Sequence, residues 1–233
     1  MTAAFTTYSN GLLHRVAVFP ALKQRGRGNA NIWFFHSPKN DRRFTIIGDV
    51  PFMHLVILEG DVSVESYDPH PDSVNVDIDG KMSEVKFDAK IAFKDGRIEF
   101  WKFDRIEGHR STSTLDSKTE SSLKERVAIS SGGHYRVRTD IDLRHKEILF
   151  DNWLTLCAGI NRCRNQSLYR EGNIFSDRLK LQRTVSFGSL FNTPGIDHAH
   201  MLAIVALSLQ NGSVRTELEN KLFGLDSVLT REM

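Results

Sequence analysis

The sequence predicts an α/β protein: a mixed sheet flanked by helices, followed by a small C-terminal unit of helices and a hairpin. Three observations lead there. A strongly apolar helix candidate occupies Asp49 to Leu58. From Val74 to Asp104 apolar and polar residues alternate with period two, interrupted only at Asp79-Gly80 and Lys94-Asp95-Gly96. Between Phe187 and Leu229 two helical stretches flank a Thr193-Pro194-Gly195 turn, and two short strand candidates follow. The 233 residues are ample for a buried core.

In order along the chain, residues 1–35 read as irregular. They contain a short apolar segment at Arg15 to Phe19 and a basic, Gly-rich loop from Lys23 to Asn29, where poor order is expected. In the Asp49 helix the apolar residues fall on one side. Pro51 fits the first turn, where its missing N–H costs nothing, and Gly60 is a stop signal. Tyr67-Asp68-Pro69-His70-Pro71 is extended or turning. Val74 to Ile78, Val85 to Phe93 and Arg97 to Asp104 predict a three-stranded antiparallel meander. Residues 108–133 are polar, with one exposed helix from Leu115 to Ile129. A strand at Tyr135, Val137 and Thr139 follows, then a helix from Glu147 to Ile160. A domain boundary is expected near 165–180. Beyond it, helix, turn, helix and hairpin follow the plan of a winged helix.

Apolar residues make up 40% and charged residues 26%, ordinary for a soluble globular protein. The longest apolar stretches, Leu55 to Leu58 and Met201 to Leu207, are too short to span a bilayer, so no membrane partner is expected. Met1 to Phe5 lack the plan of a signal peptide, and the expected compartment is the cytoplasm. Cys157 and Cys163 do not form a CxxC pair, which argues against structural zinc and a disulfide framework. The net charge is only +2, but it is unevenly spread. Lys23, Arg25 and Arg27 form one basic group with Lys39, Arg42 and Arg43; Arg162, Arg164, Arg170, Arg178, Lys180 and Arg183 form another. Such groups suit a polyanion, because they displace condensed counterions from phosphates. The plainer alternative for each is a solvated surface.

A helix followed by antiparallel strands, with an Asp on one strand and a Lys near the end of the next, is the layout of restriction-endonuclease-like nucleases. Phosphodiester hydrolysis needs a divalent ion to polarise the phosphate and generate hydroxide. Carboxylates supply the hard oxygens that Mg2+ prefers, and a lysine stabilises developing charge. Asp88 and Lys102 fill two of these catalytic places, with Asp88 as the metal ligand. If Lys94-Asp95-Gly96 is a three-residue loop with Gly96 left-handed, Phe93 pairs with Arg97 and Asp88 lies opposite Lys102 on one face. If the turn is only Asp95-Gly96, Lys102 points away from Asp88. Three-residue loops with Gly in that place are common, so the first register is expected. The alternative role for the pair is a cross-strand ion pair of about 0.2–1 kcal/mol.

Further residues in order strengthen a family resemblance. Asn31 to Asn40 with Arg42-Arg43-Phe44, Asp49-Val50-Pro51, Val64 to Pro71, Lys86-Phe87-Asp88, Phe100-Trp101-Lys102, and Tyr135 to Asp140 with Asn152 resemble, in sequence order, the TnsA-like endonuclease subunits of bacterial transposons. The resemblance runs from about Asn31 onward. It implies a basic N-terminal segment (1–30), a nuclease-fold domain (31–165) and a winged-helix-like domain (166–233). It further implies double-stranded transposon-end DNA, a DDE-type transposase subunit and an ATPase regulator as partners. Mg2+ or Mn2+ would be the cofactor of an active enzyme. Two positions depart from the pattern: the helix glutamate falls on Pro51, and the acidic or amide residue before the lysine falls on Phe100. Neither offers a metal ligand. Asp49, Glu59 and Glu99 are the nearby carboxylates that a shifted alignment would recruit. Three readings therefore stand: an active transposon-end nuclease, a TnsA-like DNA-binding and assembly subunit that does not cut, and a DNA-binding regulator unrelated to transposition.

Overall fold

The computed structural model describes residues 5–7, 13–15, 30–78, 81–105 and 114–232. Near the N-terminus, β1 (Phe5–Thr7) pairs antiparallel with β2 (Leu13–Arg15). The Arg15 to Phe19 segment, apart from Arg15 itself, and the basic Lys23 to Asn29 loop lie outside the described residues. β3 (Ile32–Ser37), which begins within the region expected to be irregular, pairs with β4 (Arg42–Ile47) as a hairpin. Its tip is the turn Pro38 to Asp41, where Asp41 takes a positive φ of 46°, a conformation Asp tolerates better than most residues.

Helix α1 (Asp49–Leu58) has the predicted bounds, with Pro51 in its first turn. Instead of one apolar side it is buried nearly all round: Val50, Phe52, Met53, His54, Leu55, Val56 and Leu58 are enclosed. A helix apolar on every side is stable only inside the protein. Here the hairpin, the central sheet and a later helix, α3 (Glu147–Arg162), surround it. Trp33 stacks on Phe52 at 4.4 Å, and Phe150 of α3 meets the same ring edge-on at 5.7 Å.

The central sheet holds four strands in the order β10 (His134–Thr139), β9 (Ile98–Asp104), β8 (Ala89–Phe93), β5 (Val64–Asp68). Strand β8 runs antiparallel to both β5 and β9, and β10 runs parallel to β9. A parallel neighbour needs a crossover, which α2 (Thr114–Ser130) supplies. The path is thus helix, three strands, helix, strand. The expected three-stranded meander does not form. Val85 to Phe93 breaks at residues 86–88, so β7 (Lys81–Val85) closes a separate hairpin with β6 (Val74–Ile78), while β8 turns to β5. The free edge of β5 is covered by the β3–β4 turn. Lys39 Nζ donates to the Val64 carbonyl at 3.0 Å, and Asn40 Oδ1 accepts from Tyr67 N–H at 3.0 Å.

The chain ends with α4 (Tyr169–Leu181), β11 (Thr184–Ser186), α5 (Phe187–Phe191), α6 (His198–Gln210), β12 (Val214–Arg215) and β13 (Val228–Arg231), with a small sheet ordered β11-β13-β12. Helix α3 packs on both α1 and α6, and one apolar core runs without a break from Phe35 to Leu229. The region around residue 165 therefore lies beside a shared core.

Gly60 follows α1, but not for the reason expected of a helix stop. The Trp153 indole lies so close that an added Cβ would come within 1.9 Å of the ring. Gly60→Ala is expected to destabilise the protein by about 1–3 kcal/mol through overpacking. Urea unfolding checks this, and an unchanged midpoint would mean that Trp153 does not pack there.

Candidate functional site

A cleft of about 670 Å³ opens beside the first turns of α1, between Ile46 and Ile47 of β4, the segment 69–73, and residues Glu84 to Asp88. Pro51, His70, Lys86 and Asp88 line it. This is where the expected site should lie, and the structure brings only part of that site together.

The expected turn is present. Phe93 N–H donates to the Arg97 carbonyl at 2.9 Å, Gly96 N–H to the Phe93 carbonyl at 3.0 Å, and Gly96 has φ +86°. Ala89 pairs with Trp101, so continued alternation would place Asp88 opposite Lys102. Instead Asp88 N–H donates at 2.8 Å to the carbonyl of Trp101, the residue already facing Ala89. The β8–β9 ladder ends at Ala89, so the alternation on which the register argument relied does not extend to Asp88. Asp88 sits at the cleft rim, where its carboxylate accepts the Phe103 N–H at 2.7 Å.

Lys102 goes elsewhere. Along β9, Trp101 and Phe103 pack with the core around α1, whereas Phe100 packs with Phe87, Val127 and Ala128 beneath α2. Lys102 shares the Phe100 side, and its Nζ lies 3.6 Å from Glu120 of α2. Asp88 and Lys102 therefore do not form the expected pair. Phe100 is a core residue of the α2 layer, with Phe87 at 4.7 Å between ring centroids, so an oxygen ligand at position 100 would face α2 and not the cleft. Pro51 lines the cleft and supplies no ligand.

The carboxylates of a shifted alignment are engaged too. Asp49 accepts from Asn31 Nδ2 at 2.8 Å and Trp33 Nε1 at 2.9 Å. Glu99 is buried beneath Arg97, Arg136 and Arg138 and accepts from Trp101 Nε1 at 2.8 Å. Glu59 lies buried at the far end of α1. Among the described residues no three His, Cys, Asp or Glu side chains converge as a metal site. Asp88 is the one carboxylate of the expected set that lines the cleft.

The basic residues divide as well. Lys23, Arg25 and Arg27 lie outside the described residues. Lys39 is not free for phosphate. Its Nζ donates to the carbonyls of Asp61 and Val64, and burial lowers its pKa against the pull of Glu59. Arg42 and Arg43 are exposed on β4. Arg162, Arg164, Arg170, Arg178, Lys180 and Arg183 are all exposed; the carboxylates in the same stretch are Glu171, which is buried, and Asp177, paired with Lys180 at 3.0 Å.

Helix α6, the second helix of the expected winged-helix plan and so the one that would enter a DNA groove, is covered. After His198 none of its residues is exposed, because α3, α4 and α5 pack around it. His198 stacks on Phe191 at 4.1 Å, and His200 is held between Gln166 and Glu171. No helix of the described residues is long and apolar enough to cross a membrane. No protein-family model and no curated protein sequence matches this chain.

Sequence reasoning missed the β3–β4 hairpin and the cluster of donors around Glu59: the Ser37 hydroxyl, Tyr67 OH, Lys39 N–H and Gln210 Nε2. The hairpin was signalled by Ser37-Pro38-Lys39-Asn40-Asp41 between two β-rich runs, yet its outer face also carries Ile32, Phe34 and Ile47, so no clean alternation marked it.

Proposed function

We propose that this chain is a TnsA-like DNA-binding and assembly subunit that holds transposon-end DNA without cutting it. The observation that carries this reading is the central layer: a helix, three antiparallel strands, a crossover helix and a parallel fourth strand, in spatial order first to fourth. This order supports a restriction-endonuclease-like layout whose cleft lacks the oxygen ligands that the family resemblance implies. Pro51 stands at the helix position, Phe100 is buried under α2, and Lys102 turns to Glu120. The C-terminal order of helix, strand, two helices and two strands, with sheet order β11-β13-β12, supports a winged-helix-like unit. Its covered α6 moves the expected DNA contacts to exposed arginines on α3, α4 and β4.

A polyanion reading fits six exposed cations within residues 162–183. Duplex DNA binding is expected to fall steeply with salt. About four phosphate contacts would weaken it about 100-fold between roughly 50 and 200 mM salt. Fluorescence anisotropy of labelled duplex measures this directly. Binding that ignores salt, or no binding, would remove the proposal. A transposase subunit and an ATPase regulator remain the partners this reading implies, and co-purification with the products of neighbouring genes tests them.

A further inference from the structure

The β3–β4 hairpin has two unlike faces. Phe35, Phe44 and Ile46 turn into the core, and Trp33 packs against it. The opposite face carries Ile32, Phe34 and His36, paired across the strands with Ile47, Thr45 and Arg43. Phe34 is 84% exposed, Ile47 63% and Ile32 60%. A cluster of large apolar side chains on one exposed face is a feature of interaction surfaces.

Two facts identify the partner. The six residues of this face include one cation, Arg43, and no carboxylate; Arg42 is exposed beside it, and the nearby Asp41 is paired with Arg164 at 2.9 Å. The face is also continuous with the cleft, since Ile47 lines both. An exposed aromatic ring flanked by arginine is the combination that holds nucleic-acid strands: the ring offers a stacking platform, and the guanidinium takes the phosphate.

We infer that this hairpin face grips a DNA strand entering the cleft, with Phe34 stacked on an accessible base and Arg43 on a neighbouring phosphate. The inference rests on the DNA-binding reading above and assigns it a surface. Stacking of this kind needs an unpaired or splayed base, so single strands should report it most strongly.

Anisotropy of labelled single-stranded and duplex oligonucleotides with the full chain tests it. Phe34→Ala and Phe34→Leu are expected to weaken single-strand binding about 5- to 100-fold with no change in salt slope, while Phe34→Trp retains it. Arg43→Ala should lower the salt slope by about 0.7 on single strands. Because Phe34 points to solvent, these variants should unfold at the wild-type temperature, which thermal melts check. If the wild type binds DNA and the Phe34 variants bind equally well, this inference is overturned while the DNA-binding reading stands. If the wild type binds no DNA, the underlying reading is what fails. Sedimentation showing a wild-type dimer that Phe34→Ala dissociates would assign the face to a second copy and likewise overturn the inference.

Discussion

Glu59→Ala is expected to lower the unfolding free energy by about 3–5 kcal/mol, the range seen when one partner of a buried charged network is removed. Glu59 is fully buried. Its carboxylate accepts from the Ser37 hydroxyl, from Tyr67 OH at 2.6 Å, from Lys39 N–H at 2.9 Å and from Gln210 Nε2 at 2.9 Å. These donors come from the β3–β4 turn, β5 and the last turn of α6, so one side chain ties both ends of the chain's core together. Burial raises the Glu59 pKa, and the bonds from Ser37, Tyr67 and Lys39 pull it back down. Alanine would strand all four donors without water, each at a cost of about 1–3 kcal/mol before relaxation. Glu59→Gln keeps the shape and one acceptor and should lose less. Urea unfolding of both variants decides it; a Glu59→Ala midpoint close to wild type would show that the network contributes little.

The second large effect is a loss of stability in mild acid that traces to His54. Burial against Trp101 and Phe103 pushes its pKa down to about 4, with Arg138 and Lys146 acting the same way. Its Nε2–H donates to the Thr139 carbonyl at 2.9 Å, so the folded protein holds the neutral ring. The unfolded chain takes up a proton near pH 6.5 and the folded chain only near 4. The stabilisation is therefore complete above about pH 6.5 and is lost as pH falls toward 4, a change of about 3 kcal/mol. His54→Gln cannot titrate. The stability of wild type relative to this variant should fall by that amount between pH 7 and about 4, and a difference that stays flat with pH would exclude His54 as the source.

Much of the fold was legible in the sequence. The bounds of α1 followed from an apolar run with Pro51 in its first turn, and α3 and α5 from apolar spacing. The Gly96 loop and the Asn211-Gly212 stop followed from turn chemistry, with φ +86° and +80° at the two glycines. What was not legible has physical causes. The break at residues 86–88 is a tertiary decision: Val85 and Phe87 belong to the α2 layer, whereas Ala89 and Ile91 belong to the α1 layer, yet all four alternate as one strand would. Because the strand ends at Ala89, one residue short of Asp88, the Asp88–Lys102 constellation was beyond a register argument. Helix α4 was hidden because its buried positions, Glu171, Phe175 and Leu179, are few and one is charged. The Glu59 cluster joins residues up to 151 positions apart, which no local pattern announces.

The proposed role is to bind DNA without hydrolysing it. Incubating supercoiled plasmid with the wild type and with Asp88→Ala, with Mg2+ or Mn2+ and under salt where binding is verified in parallel, tests this most directly. The structure's arrangement of Pro51, Phe100 and Lys102 predicts bound but intact plasmid for both proteins. Metal-dependent nicking by the wild type that disappears in Asp88→Ala would contradict it.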